Sequence, residues 1–334
     1  MSFEHADRPL SAPVPWSPTP EAAGSPPTDL DWRPPRRHRP LVHVGLLLTT
    51  IVTTMIAGSE HYAGFRYDFT AEWTSYSLLY GASYSATILS ILGTHELGHY
   101  FACRYYRVDA SLPYFIPAPL FLTGTLGAVI RIRQRIPGKR MLFDIGAAGP
   151  IAGFVVAVPA LFLGLWLSRV VPLPDAATPL PDNLISIEFG EPLLYQFAEW
   201  MIWGGTPDGY TLNWHPVATA AWLGLLVTAI NLFPVSQLDG GHISYAVLGS
   251  RSTFVTLGSL VAVVGLAFIS ISWIIWAILI VLMVAYLGPR HPRTVDEHVP
   301  LDGRRRLVAV GTIAIFLLCF TPSPIEVSSF VAGP

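Results

Sequence analysis

Six apolar runs decide what this chain can become. They occupy residues 41–58, 77–103, 144–168, 215–236, 252–287 and 306–321, and a helix needs about 20 such residues to cross the hydrocarbon of a bilayer. The composition agrees, since 52% apolar and 13% charged residues fall outside the usual soluble range. The 20 basic and 22 acidic residues nearly cancel, so no basic field points to nucleic acid. Cys103 and Cys319 lie far apart in apolar stretches and support neither a disulfide framework nor a thiolate metal site.

The positions of the charges set an orientation. Arg104, Arg107, the cluster Arg131, Arg133, Arg135, Lys139 and Arg140, and the group Arg290, Arg293, Arg304, Arg305 and Arg306 belong on the cytoplasmic side. Residues 170–214 contain no Lys or Arg but carry Asp175, Asp182, Glu188, Glu191, Glu199 and Asp208, which suits the outer side. All these assignments agree if the run 252–287 crosses twice, turning near Ser270 to Ser272. The chain is therefore expected to be an all-α polytopic membrane protein of roughly six to seven transmembrane helices, with a cytoplasmic amino terminus and an outer carboxyl terminus. A bacterial plasma membrane is the expected location. Trp200, Trp203 and Trp214 mark a stretch of the outer loop suited to a membrane interface.

One segment departs from this alternation. Pro113, Pro117 and Pro119 interrupt the apolar pattern and Gly124 and Gly127 follow, with basic residues on both flanks. A re-entrant, partly β segment near 113–130 fits better than a span, with a cytoplasmic surface loop as the alternative. Irregular backbone at membrane depth must be buried in protein or line a wet cavity. The first forty residues are Pro-rich without an apolar period and read as a disordered cytoplasmic tail. Glu4, Asp7 and Glu21 argue against an organelle transit peptide, so the first apolar run is expected to be an uncleaved span. The resulting division is 1–40 as tail, 41–322 as the membrane-embedded domain with its core at 75–245, and 323–334 as a short extracytoplasmic tail.

Within the second apolar run stands Thr94, His95, Glu96, Leu97, Gly98, His99. On a helix the two histidines fall on one face a turn apart, where neutral imidazoles bind one zinc ion with Glu96 beside it as a general base. Arg104 marks the cytoplasmic end, so His95 lies about 14 Å inward at about 1.5 Å per residue. A carboxylate at that depth is costly unless it has a function. A catalytic zinc usually takes three protein ligands, and Asp239 is the other acid well inside the apolar runs. Pro234 breaks the helix before it, and Gly240 and Gly241 permit a tight turn that would aim its carboxylate at the metal. His242, at the interface, is left out of the metal set.

The two motifs, His95 to His99 and Asn231 to Gly241 with its Asn-x-x-Pro-x-x-x-Leu-Asp-Gly pattern, resemble the site-2 protease family of intramembrane metalloproteases. Gly124, Thr125, Leu126 and Gly127 resemble a glycine-bearing segment near that family's active site. Gly146 to Pro150 with Gly153 resembles a small-residue helix start. The resemblance covers roughly 75–245 and implies one zinc ion held by His95, His99 and Asp239, with Glu96 catalytic. It also implies contact between Asn231, Gly124, Thr125, Leu126 or Gly127 and substrate, and an extended stretch Leu120 to Arg133 is suited to pairing with an unwound substrate. No segment is long and patterned enough for an inserted PDZ domain, and no cytoplasmic extension suits a nucleotide-sensing domain.

The expected activity is intramembrane zinc endopeptidase action in regulated intramembrane proteolysis. Its expected partners are a single-span membrane protein as substrate, an upstream protease and the lipid bilayer, with no nucleic acid. Two other classes remain open: a membrane zincin acting on peripheral peptides, and a nonproteolytic metal-binding membrane protein. A metal carrier would show polar residues along a whole transmembrane path, whereas here the ionisable groups gather towards one side.

Overall fold

A computed structural model describes residues 40–67, 77–120, 122–172, 185–297 and 299–329. Of the expected amino-terminal tail, 1–40, all but Pro40, which begins α1, lies outside the described residues. The fold is mostly helical. A long helix α1 (Pro40–Tyr67) and a single turn α2 (Ser77–Tyr80) lead to α3 (Ala82–Tyr105). A hairpin follows, built from β1 (Tyr114–Pro117) and β2 (Thr125–Val129), and then α4 (Lys139–Leu167). The outer connection holds β3 (Arg169–Pro172), β4 (Ile185–Phe189), α5 (Leu193–Trp203) and β5 (Tyr210–Asn213). It leads to α6 (Pro216–Leu232), α7 (Asp239–Leu248), α8 (Ser252–Ile269), α9 (Ser272–Leu287), α10 (Gly303–Cys319) and β6 (Ile325–Ser329).

Among the described residues, three helices are long and apolar enough to cross a membrane: Pro40–Arg66, Lys139–Leu167 and Asp239–Ile269, the last joining α7 and α8 through a short 3-10 turn. The apolar helices α6 and α9 are shorter. α1 runs well past the end of its apolar sequence run at residue 58, and in this extension His61 meets the hairpin turn at Leu122 O. The long run 252–287 does break where the charge pattern required. Ser270 leaves the helix in an extended conformation with φ −138° and ψ 131°, and the Ser270 and Ser272 hydroxyls bond each other at 2.8 Å. The break thus occurs at a pair of serines, without a Gly or Pro.

α6 is the centre of the bundle, buried around nearly its whole circumference. One core joins its Trp222, Leu225 and Ala229 to Ile88 and Ile91 of α3 and to Ala157, Leu161 and Leu165 of α4. A second core sets Val263 of α8 and Trp273, Ala277 and Ile280 of α9 around Phe233 and Val235, directly before the Asp239 helix.

Contacts at the two ends of the bundle tie distant segments together. β3 pairs antiparallel with β5, and β4 with β6 from Phe189 against Ile325 to Ile185 against Ser329. The indole of Trp273 donates to Pro322 O at 2.8 Å. At the opposite end, Val295 N donates to Pro137 O at 3.0 Å and Lys139 N to Asp296 Oδ1 at 2.6 Å.

The segment expected to be partly β carries an antiparallel pair of strands, β1 and β2. It lies along α1: His43 Nδ1 donates to Pro113 O at 3.1 Å near the base, and His61 Nε2 to Leu122 O at 2.9 Å near the turn. Those two histidines are about 27 Å apart along a helix rising about 1.5 Å per residue. Tyr84 of α3 reinforces the turn, its hydroxyl meeting Leu122 O and Thr123 O at 3.1 and 3.0 Å.

Candidate active site

α3 and α4 pack side by side, and the small residues of α4 decide how closely. On Gly149 an added Cβ would fall 2.1 Å from His99 Nε2, so only a residue without a side chain lets the imidazole occupy that space. Pro150, which cannot donate to the helix ladder, follows immediately. The His99 ring is oriented from its other side, where Nδ1 lies 2.7 Å from Ile145 O. A carbonyl only accepts, so Nδ1 carries the proton and neutral His99 presents Nε2 as a bare lone pair.

Three donor atoms then meet. His95 Nε2 and His99 Nε2 are 3.1 Å apart, and each lies 3.2 Å from Asp239 Oδ2. His95 is 4% and His99 7% exposed, and the Asp239 side chain 15%. Acceptors packed against acceptors in a dry place repel unless a cation lies between them. Edges of this length leave a point about 2 Å from all three atoms, the distance zinc takes to imidazole nitrogen and carboxylate oxygen. The residues fit one zinc ion.

Asp239 reaches the histidines because α6 ends early. Its last turn is Leu232, Phe233 turns out at φ −56° and ψ 130°, and Pro234 prevents continuation. The positive-φ residue of the ligand loop is Ser236, at φ +37°, and not either glycine. Gly240 and Gly241 were expected to make a tight turn; they instead form the first turn of α7. A Cβ on Gly240 would lie 2.1 Å from Leu232 O and one on Gly241 2.3 Å from Ser236 O. They are glycines so that α7 can fold back against the end of α6.

Glu96 is 8% exposed, next to His95 on α3, and lies near the backbone of Ile130, just beyond β2. The end of the hairpin thus comes close to the candidate base. Asn231, on the last turn of α6, places its amide nitrogen 3.3 Å from His95 Nε2. The four hairpin residues divide. Gly124, at φ +68°, packs against α1, where a Cβ would sit 2.5 Å from Thr53 O. The Thr125 hydroxyl bonds Ile116 O at 2.8 Å and is buried. Leu126, 68% exposed, and Gly127, with open space where a Cβ would be, face outward.

Residues 83–272 match the family described as peptidase family M50. The chain belongs to that family, the site-2 protease family of zinc metallopeptidases. It is similar to the probable zinc metalloprotease EGY2, chloroplastic, of Arabidopsis thaliana, 30% identical over 229 residues that cover 68% of this chain and 39% of that protein. The Arabidopsis thaliana probable zinc metalloprotease EGY1, chloroplastic, is 35% identical over 178 residues, 51% of this chain and 32% of the relative. Its Oryza sativa subsp. japonica namesake is 34% identical over 167 residues, 50% and 28%. The chain spans well under half the length of these relatives. No solved structure matches it. The family implies zinc, and His95, His99 and Asp239 form the group found among the described residues that could hold a metal ion.

The His242 side chain does not join the three donors. Its Nδ1 lies 2.7 Å from Nε2 of His291, a partner that no sequence pattern announced.

Proposed function

We propose that this chain is an intramembrane zinc endopeptidase that hydrolyses peptide bonds in or near transmembrane segments of single-span membrane proteins. The observation that carries this is the convergence of His95 Nε2, His99 Nε2 and Asp239 Oδ2 within 3.2 Å of one another, beside a buried Glu96.

In this proposal α1, α3, α4, α6, α8, α9 and α10 each cross the bilayer and the hairpin enters it from the cytoplasmic side. The end contacts support that parity. Pairing of β4 with β6 requires residues 185–189 and 325–329 to share one side, and the Pro137–Val295 and Lys139–Asp296 bonds require the α4 start and the α9–α10 connection to share the other. Both hold for seven crossings. α6 is short for a span, but it is wrapped in protein rather than lipid and need not match the hydrocarbon thickness. The hairpin's long course beside α1 supports its reaching membrane depth. The basic clusters support a cytoplasmic amino terminus in a bacterial plasma membrane; the relatives above carry chloroplastic names. The tail 1–40, the domain 41–322 and the extracytoplasmic end 323–334 keep the same division.

When bound, zinc supplies Lewis acidity towards a scissile carbonyl and lowers the pKa of water towards about 7. Glu96 takes the proton from the attacking water and returns it to the leaving amine. Asn231 donates to the substrate backbone or to the developing oxyanion, a role supported by its amide nitrogen lying 3.3 Å from His95 Nε2. A helical substrate shields its own carbonyls, so it unwinds before cleavage, and the outer edge of β2 at Leu126 and Gly127 pairs with the unwound strand. An upstream protease that first trims the substrate completes the proposal.

The test is the purified chain in nanodiscs with a panel of single-span substrates, with and without a zinc chelator. Cleavage that stops with chelator and returns with zinc is expected; cleavage indifferent to chelation contradicts the assignment.

A further inference from the structure

The connection between α9 and α10, residues 288–302 with His298 outside the described part, crosses the end of the bundle where α7 begins. Its contacts bracket Asp239 on both sides. Before Asp239, the Ser236 hydroxyl donates to Gly288 O at 2.9 Å. Ser236 is one of the non-glycine residues with positive φ, a strained conformation that persists only where surroundings enforce it. After Asp239, His242 meets His291 at 2.7 Å. Tyr245, a turn further along α7, stacks on the His291 ring at 4.5 Å and 19°, and its hydroxyl accepts from Thr294 N at 3.1 Å.

The direction of the histidine bond follows from its ends. His291 Nδ1 lies 2.8 Å from Pro292 O; the carbonyl only accepts, so Nδ1 holds the proton and neutral His291 offers Nε2 as acceptor. His242 Nδ1 therefore donates to His291. This fixes the His242 ring, whose Cβ lies 3.0 Å from the site where a Cβ on Gly146 would be, against the α4 turn that also orients His99. Past Thr294 the connection is fastened to the start of α4, through Val295 to Pro137 O and through Asp296 to Lys139 N. The segment is a splint between the helix that bears Asp239 and the helix that orients His99.

We infer that His291, acting through His242, is a positioning residue for the third zinc ligand, Asp239. Neither histidine touches the donor cluster; together they fix the rotation of α7 that sends the Asp239 carboxylate towards His95 and His99. This inference rests on the zinc site proposed above. Groups that orient metal ligands from outside typically contribute 10–100-fold in metal affinity or activity.

The experiment uses the full chain in detergent, loaded with zinc, and follows zinc loss to a fluorescent chelator. His291→Ala is expected to lose zinc about 10–100-fold faster than wild type. His291→Gln, whose amide oxygen can stand where Nε2 accepts, is expected to restore retention to within about threefold, since the acceptor is what matters. His242→Asn keeps a donor near Nδ1 and is expected to retain zinc where His242→Ala does not. Arg290→Ala, exposed on the same segment, is expected to match wild type. For a cleaved substrate, kcat falls in His291→Ala while KM holds.

Wild-type zinc retention in His291→Ala overturns the inference, as does a His291→Gln variant as leaky as His291→Ala, which would reduce the histidine to packing. If the wild type itself holds no zinc, the active-site proposal fails and carries this one with it. Zinc-retaining wild type with an unaffected His291→Ala overturns the positioning role alone.

Discussion

Gly149 and His99 share one volume: a Cβ on the glycine would lie 2.1 Å from the imidazole Nε2. No side chain can be added at 149 without moving the ring, and moving the ring breaks its 2.7 Å bond to Ile145 O. Gly149→Ala is therefore expected to lower zinc affinity at least tenfold while circular dichroism keeps its helical signal. A zinc titration that matches wild type would show that the ring is not held where it is seen.

Glu96 is expected to be needed for turnover and not for binding. Glu96→Gln keeps the shape and removes the base, so zinc content should be unchanged while the cleavage rate falls by about 10²–10⁴. Single-turnover assays on protein of measured zinc content check both quantities at once. Preserved turnover would remove Glu96 from its role.

The hairpin prediction concerns the outer edge of β2. Leu126→Pro deletes a backbone donor from a strand whose side chain there already faces outward, and cleavage should fall about tenfold, the worth of one or two backbone hydrogen bonds. Zinc content should not change. Equal cleavage would count against substrate pairing on that edge.

Arg305 tests how α10 is docked. Its guanidinium reaches Asp144 Oδ1 at 2.9 Å and Oδ2 at 2.5 Å, and it also bonds Asp302 and lies beside the Tyr106 hydroxyl, which donates to Asp144. The group is partly exposed, at 25% for Arg305 and 27% for Asp144, so Arg305→Ala is expected to cost about 1–2 kcal/mol, allowing for solvent screening. Arg305→Lys should recover only part, because an ammonium cannot bridge both Asp144 oxygens in the same plane. Thermal melting of the zinc-loaded protein reads this, and an unchanged midpoint in Arg305→Ala would show that the cluster contributes nothing.

Much of this architecture was legible because the sequence signals were local. His95 and His99 fall on one face wherever that run is helical, Pro234 removes a ladder donor where α6 ends, and the Pro and Gly between 113 and 130 disfavour a continuous helix. The break at Ser270 followed from charge parity rather than from its own residues. Other features depended on which segments meet. Gly149 read only as a small residue until His99 was seen against it, and Gly240 and Gly241 suggested a turn because glycine permits both a turn and a close approach. Gly124 and Thr125 looked like substrate contacts, yet one packs on α1 and the other ties β2 to β1. The pairing of His242 with His291 spans two helices and leaves no periodic trace. Neither do the strand pairs β3–β5 and β4–β6, whose partners are separated by α5 in the first pair and by all the helices from α5 to α10 in the second.

Zinc-edge X-ray absorption, combined with metal stoichiometry, tests the shared metal site most directly. The wild-type chain is expected to hold one zinc ion in a nitrogen and oxygen environment, with two imidazoles at about 2.0–2.1 Å. Asp239→Ala and His99→Ala should each lose most of it. Sulfur ligation, or a full equivalent of zinc retained without Asp239, would contradict a metal held jointly by α3 and α7.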